Sequence, residues 1–318
     1  MKRTPTPGSD PAEILAGAAF DRRDFLRRSA ATLAAGALSL TRPARAQAEK
    51  PPVIDTNVYL GPCPFRRLPL ETLLEAPDSL TRFTTALSTQ SVACWAGSFE
   101  ALLQRDYDGI NDRLAALVGT DKAHARYFHL FGAVNPKIAG WRETLRRIQQ
   151  VHRMRGIRLH PNFHGYTLAD PDFVALLDAA SQQGLIVQIA MRMEDARTQH
   201  PALSVADVDV KPLLEWLPQM PTLRVQLLNA TRSAADALLV SRLSELGVCF
   251  DTAMVEGMAG IARLVEAVPE IKLCHGSYAP FFYPESAALK LVESTPELDS
   301  RTLAAISSHH AENLLTVG

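Results

Sequence analysis

The chain has 318 residues, of which 47% are hydrophobic, 7% aromatic and 21% charged, with a formal net charge of −1. That apolar content supports a folded core and excludes a disordered chain. With 33 Lys+Arg against 34 Asp+Glu there is no basic surplus, so no electrostatic argument exists for nucleic acid or an anionic membrane surface as a partner.

Residues 1–46 read as a twin-arginine signal peptide. Asp21-Arg22-Arg23-Asp24-Phe25-Leu26-Arg27 sets two adjacent arginines before Phe-Leu. Residues 30–40, mostly Ala and Leu, are too short and too weakly apolar to span a bilayer permanently, and Ala44-Arg45-Ala46 offers a small-x-small cleavage site. An ordinary secretory signal with a basic front end is the alternative, but that route needs no arginine pair at a fixed distance from Phe-Leu. The working domain is therefore expected over 47–318, periplasmic or secreted, with the twin-arginine export machinery as a partner and no permanent membrane span. The signal holds 8 of the 33 Lys+Arg and 4 of the 34 Asp+Glu, which leaves 25 against 30 and a mature domain near −5.

Along the mature chain, eight short apolar, β-branched runs alternate with stretches of helical period. The runs are Val53–Leu60, Ser91–Ala96, Tyr127–Val134, Gly156–His160, Leu185–Met191, Thr222–Asn229, Val248–Ala253 and Ile271–Ser277. Helices are expected over Phe99–Val118, Trp141–Arg155, Asp172–Gln183, Val210–Leu217, Ala234–Leu246 and Met258–Val268. Asp170-Pro171 opens one helix, and Gly184 and Gly247 close others just before a strand. Eight strand–helix units in series predict an α/β fold, a single closed parallel (β/α)8 TIM-type barrel, in preference to a doubly wound open sheet, for which no glycine-rich nucleotide loop is present. Cys63, Cys94, Cys249 and Cys274 lie far apart without a Cys-x-x-Cys pair, which disfavours a zinc ribbon and leaves buried free thiols or one disulfide.

In such a barrel chemistry gathers at the C-terminal ends of the strands. The polar residues there are Asn57 and Tyr59, Asn135, Arg158 and His160, His164 and Tyr166, Gln188, Arg192, Glu194, Asp195, Asn229, Asp251, His275, Ser277 and Tyr278. Among these segments, Val53-Ile-Asp-Thr-Asn-Val-Tyr-Leu-Gly61, Gly132-Ala-Val-Asn-Pro136, Gly156-Ile-Arg-Leu-His-Pro161 and Glu312-Asn-Leu-Leu315 resemble the amidohydrolase-related (amidohydrolase 2) family over nearly all of the mature chain. The resemblance implies a (β/α)8 barrel and a metal-dependent hydrolase or non-oxidative decarboxylase. It also implies a strand-one signature Ile-Asp-x-His-x-His that turns two imidazoles toward one divalent metal. Here those two positions are Asn57 and Tyr59. The remaining metal-ligand positions fall at Ala190, Asn229 and Tyr278, so a divergent member is expected, with no metal at the usual place and no cofactor.

Arg158 and His160 alternate with Leu159 and so share a strand face, while Arg192 has the parity of Gln188 and Ala190. Arg158 and Arg192 are expected to converge on a substrate carboxylate, with Asn57, Tyr59, His164, Asn229 and Tyr278 lining the site. His160 or His275 would act as general acid or base, helped by Glu194 or Asp195. A charge cluster of Arg192, Glu194, Asp195 and Arg197 on a solvated loop is the competing view of that stretch. The loops Gly61-Pro-Cys-Pro-Phe65 and Tyr278-Ala-Pro-Phe-Phe-Tyr283 would wall a pocket or form a homo-oligomer contact. Three functions follow. The first is a metal-independent hydrolase of a small carboxylated ester or lactone, as in relatives that open lactones without metal. The second is a non-catalytic ligand- or partner-binding barrel, and the third a conventional metal-dependent amidohydrolase or decarboxylase.

Overall fold

Eight short strands run parallel and pair strictly in chain order from β1 to β8. They are β1 (Ile54–Leu60), β2 (Ala93–Ser98), β3 (Phe128–Gly132), β4 (Gly156–Leu159), β5 (Ile186–Ala190), β6 (Arg224–Leu228), β7 (Cys249–Asp251) and β8 (Lys272–Cys274). The ring closes where β1 meets the segment after β8. There Thr56 N–H donates to His275 O at 2.9 Å, and Tyr278 N–H donates to Asn57 O at 2.8 Å. The computed structural model describes residues 52–64, 68, 88, 91–119, 126–195, 197, 199, 204–231 and 237–316. Residues 1–46, expected to be a signal peptide, and Phe65 lie outside them.

The strand runs expected from sequence all appear, seven of them trimmed by up to three residues at an end and the second, expected over Ser91–Ala96, shifted by two to Ala93–Ser98. The helix expected over Phe99–Val118 is instead two elements, a 3-10 turn over Phe99–Leu102 and an α-helix over Tyr107–Gly119. Ser98 accepts from Glu100 N–H to start the first, and Asp106 Oδ1 accepts from Gly109 N–H at 3.0 Å at the start of the second. These short polar side chains divert the backbone between them. Helices over Trp141–Gln150, Pro171–Gln182, Ala237–Glu245 and Gly260–Ala267 follow as expected, and the Val210–Leu217 stretch shrinks to Leu213–Trp216. The C-terminal helices over Pro284–Ser294 and Ser300–Thr316, the latter with a π-turn at Ala305–His309, complete the outer layer. Among the described residues, no helix is long and apolar enough to cross a membrane.

Leu60, Ile157, Leu159, Val187, Ile189, Val225, Leu227, Phe250 and Leu273 point outward and are buried under the helices. The barrel interior is stacked in layers. Its floor is apolar, with Ile54, Trp95, Phe131, Ile186, Cys249 and Cys274 packed together and Trp95 stacked on Phe131 at 5.1 Å. All four cysteines are buried thiols. Above the floor lies a polar layer. Arg158 Nε donates to Gln188 Oε1 at 2.8 Å, Gln188 Nε2 to Gln226 Oε1 at 2.8 Å, and Gln226 Nε2 to Thr56 Oγ1 at 2.8 Å. The pairing of β1 with β2 shifts register between Asp55 and Val58. An irregularity of this kind re-aims side chains, and here both Thr56 and Asn57 reach interior partners.

Candidate active site at the C-terminal end of the barrel

The two residues standing where the resemblance implies metal-binding imidazoles each make their own bonds. Asn57 Nδ2 donates to Asn229 Oδ1 at 2.9 Å and to Asp251 Oδ2 at 2.5 Å. The amide orientation is fixed by its neighbours, since Asn229 Nδ2 is committed to Arg192 O at 2.9 Å and can offer only its oxygen. Two acceptors therefore face Asn57, and only its NH2 group satisfies both. Asp251 Oδ1 also accepts from Asn229 N–H at 2.8 Å. Asn229 holds a left-handed backbone, φ 55°, which asparagine tolerates better than most residues.

Tyr59 occupies the other half of the site. Its ring stacks on Phe99 at 4.4 Å, meets Tyr278 edge-on at 5.6 Å, and covers the Arg158 guanidinium at 4.5 Å. Its hydroxyl lies 2.9 Å from His160 Nε2. Burial pushes the phenol up to about 12, against the pull of Arg158. Burial holds the His160 imidazole well below its usual range, with His164 and Arg158 adding to the effect. His160 caps the short helix Pro161–His164, so the two imidazoles lie within one turn, 5.7 Å apart. His164 Nε2 lies 2.7 Å from Ala101 O and therefore carries its proton there. Burial lowers His164 to about 4 despite that bond.

Asp55, behind Asn57, accepts from the backbone N–H groups of Asn57 and Ser277 at 3.1 and 2.9 Å. Burial raises its pKa, with His275 opposing, while burial lowers His275 against the pull of Asp55. Asp251 is the second buried carboxylate of the site. Burial pushes it up to about 6, opposed by its bonds to Asn57 and Asn229. Lys290 sits at its back and donates to Ala253 O at 2.6 Å. Tyr278 closes the top, with a left-handed backbone of φ 60° and its hydroxyl donating to Met193 O at 2.7 Å.

Asn57, Tyr59, His160, His164, Asn229 and Tyr278 thus come together as the sequence suggests. Other expected members do not. Arg158 and Arg192 do not form a guanidinium pair. Arg158 is buried under Tyr59 and donates to the carbonyls of Val58 at 2.6 Å and Trp95 at 3.1 Å. Arg192 leaves the barrel after β5 ends at Ala190 and pairs with Asp207 at 2.5 Å. Asp195 pairs with the exposed Arg197 at 2.6 Å. Glu194 is buried on the same loop. His275 faces Asp55 and Lys290 rather than His160. Asp55 and Lys290 were not singled out by the sequence, and Asp251 was named among the polar strand-end residues without a role. It lies within the run Val248–Ala253, and nothing in its neighbours foretells the bond to Asn57, 194 residues away.

A divalent metal does not fit this donor set. Asn57 commits its NH2 group to Asn229 and Asp251 and leaves only an amide oxygen, a poor transition-metal ligand beside imidazole or carboxylate, the Tyr59 phenol stays protonated, and Ala190 carries no donor. Among the described residues, no three His, Cys, Asp or Glu side chains gather as a ligand group.

Comparisons with known proteins agree on the architecture. A 5-carboxyvanillate decarboxylase from Sphingomonas paucimobilis superposes with a TM-score of 0.61 at 13% identity, over 84% of this chain and 99% of its own. A protein assigned as an amidohydrolase from Staphylococcus aureus gives 0.59 at 10% identity, over 83% and 99%. This chain has the fold of the amidohydrolase-related barrels. An Acinetobacter baumannii protein assigned as a 2-pyrone-4,6-dicarboxylic acid hydrolase, with citric acid bound, gives 0.52 at 15% identity, over 83% and 98%. No family model matches the sequence, and no curated protein matches it. The likeness is therefore one of fold, with the side chains at the site free to differ.

Proposed function

We propose that this amidohydrolase-fold protein is a hydrolase that opens small carboxylated esters or lactones without a metal, after export by the twin-arginine route to the periplasm or beyond. The observation that carries the reading is Asp251. It is a buried carboxylate at the end of β7, raised to about 6 and held by two amide groups. A base poised near the working pH removes a proton from water most effectively.

In this reading Asp251 takes a proton from water as the hydroxide oxygen attacks the acyl carbon. Tyr59, kept protonated, donates to the carbonyl oxygen on which charge develops. That the Asp251 charge is felt at Tyr59 supports assigning both groups to one site. The C–O bond then breaks, and the proton held by Asp251 passes to the departing alkoxide. His160 positions the Tyr59 hydroxyl, and His275 with Asp55 supports the β1–β8 seam behind Asn57. Arg192, at the rim, exchanges Asp207 for the substrate carboxylate.

A second reading, a barrel that binds a ligand without turnover, draws on Arg158, whose donors are taken up inside the fold, and on the aromatic packing of Tyr59, Tyr278, Phe281 and Phe282 at the mouth. Hydrolysis of a panel of carboxylated lactones and aryl esters separates the two. Turnover that Asp251→Asn lowers by about 100-fold or more, the usual contribution of a general base, supports the enzyme. Turnover unchanged by that substitution rules out Asp251 as the base.

A further inference from the structure

Two adjoining cavities lie at the N-terminal end of the strands, opposite the site above. The larger, about 440 Å3, is lined by Arg126, His129, His152, Arg153 and Arg155 among apolar residues. The smaller, about 250 Å3, shares Arg153 and Arg155 and adds Arg224, Gln149 and Gln183. Neither has an Asp or Glu among its lining residues. In a chain with 33 Lys+Arg and 34 Asp+Glu, such a one-sided surface is a local departure from the mean.

Helix ends commonly explain clustered cations, because carbonyls at a C-terminus attract them. At the end of the helix Trp141–Gln150 two carbonyls are already taken by backbone N–H groups, Arg147 O by Val151 and His152 and Ile148 O by Met154, so the helix end accounts for only part of the cluster. Among the described residues, no side-chain hydrogen bond or ion pair engages Arg126, Arg153 or Arg155. Only His152 has a carboxylate, Asp112 at 3.1 Å. Arg224 is spent on the carbonyls of Leu314 and Gly184 and forms a fixed wall. Burial and the Arg155 charge lower the pKa of His129, as expected for an imidazole in a positive surround. Arg153 stands at φ 53°, where glycine or asparagine would sit with less strain, so the backbone does not ask for arginine.

We propose that this acid-free double cavity binds a small polyanion, a molecule presenting several phosphate or carboxylate oxygens to the forks of Arg153 and Arg155. The larger cavity lies within the usual range of small-ligand sites, about 300–1,000 Å3. Guanidinium groups without internal partners suit bidentate capture of such oxygens. The proposal goes beyond the hydrolase reading and does not depend on it.

Calorimetric titration of the full chain at low ionic strength with pyrophosphate, and separately with citrate, tests it. Saturable one-to-one binding is expected, weakened about tenfold by each of Arg153→Ala and Arg155→Ala, the size of one charge-assisted hydrogen bond. Binding should be unchanged by Arg146→Ala, whose guanidinium is paired with Glu143 elsewhere. Preference for pyrophosphate or for citrate identifies the anion as phosphate or carboxylate. No saturable binding of either, or binding that the two variants leave intact, would overturn the proposal. Ester turnover measured on the same variants is expected to stay at the wild-type level, so the two readings fail separately.

Discussion

Asp251 is the residue whose chemistry depends most on its surroundings. Folding raises its pKa from 3.8 to about 6, so the native state binds that proton more tightly than the unfolded chain does. Above about pH 6 the buried charge costs on the order of 3 kcal/mol, and this cost is relieved as pH falls toward 3.8. His160, His164 and His275 act in the opposite sense. Their pKa values are depressed below 6.5, so they lose stability as pH falls through the same region. The difference between wild type and Asp251→Asn isolates the carboxylate. In urea melts, the stability gap is expected to shift in favour of wild type by on the order of 2 to 3 kcal/mol between pH 7 and pH 4. A gap constant with pH would mean that the carboxylate is not buried as described. For activity the sign reverses, because the base works ionised. The pH profile of kcat/KM should rise through an apparent pKa near about 6, and a flat profile from pH 5 to 8 would remove Asp251 from the reaction.

At the level of elements, the middle of the barrel rests on one buried guanidinium. Arg158 reaches β1 and β2 through carbonyls and β5 through Gln188, so it ties four strands together. It has room because β2 carries Gly97, where an added Cβ would stand 2.8 Å from Arg158 Cδ. Gly97→Ala is expected to lower stability by about 1 to 3 kcal/mol, the usual cost of overpacking, and chemical denaturation measures it. Arg158→Met should cost more, about 3 to 5 kcal/mol, by leaving Gln188 and two carbonyls without their partner. The eight strands were legible because each apolar run is short and closed by polar or turn residues, a pattern that local sequence carries by itself. The same local logic failed for Arg192. Its parity with Gln188 and Ala190 holds only while the strand continues, and β5 stops at Ala190. It failed again across Leu103–Asp106, where Ser98 and Asp106 redirect a backbone whose apolar spacing stays helical. The site divides likewise. Asn57, Tyr59 and Asn229 could be placed from the β1 motif and its frame, whereas the Asn57–Asp251 bond joins residues 194 apart.

Across the whole molecule, the barrel keeps the plan of its structural neighbours. An amide NH2 group bridges Asp251 and Asn229, a neutral phenol stands two residues further along β1, and the floor beneath is closed by Trp95 and Phe131. The proposed export belongs to residues 1–46 and is tested separately. Replacing Arg22 and Arg23 together by lysine is expected to leave the protein unprocessed in the cytoplasm, whereas the native sequence yields a mature chain beginning near Gln47. Mass spectrometry of periplasmic and cytoplasmic fractions checks this, and full processing of the lysine variant would point to the general secretory route instead. The measurement that tests the central claim most directly is ester or lactone turnover by protein purified without added metal, before and after exhaustive chelation, with its metal content determined on the same samples. The account predicts turnover unchanged by the chelator and less than about one-tenth of an equivalent of divalent transition metal per chain, since a closed set of amide and phenol groups holds no such ion firmly. Stoichiometric zinc or manganese, with activity lost on chelation and restored by adding the metal back, would contradict it.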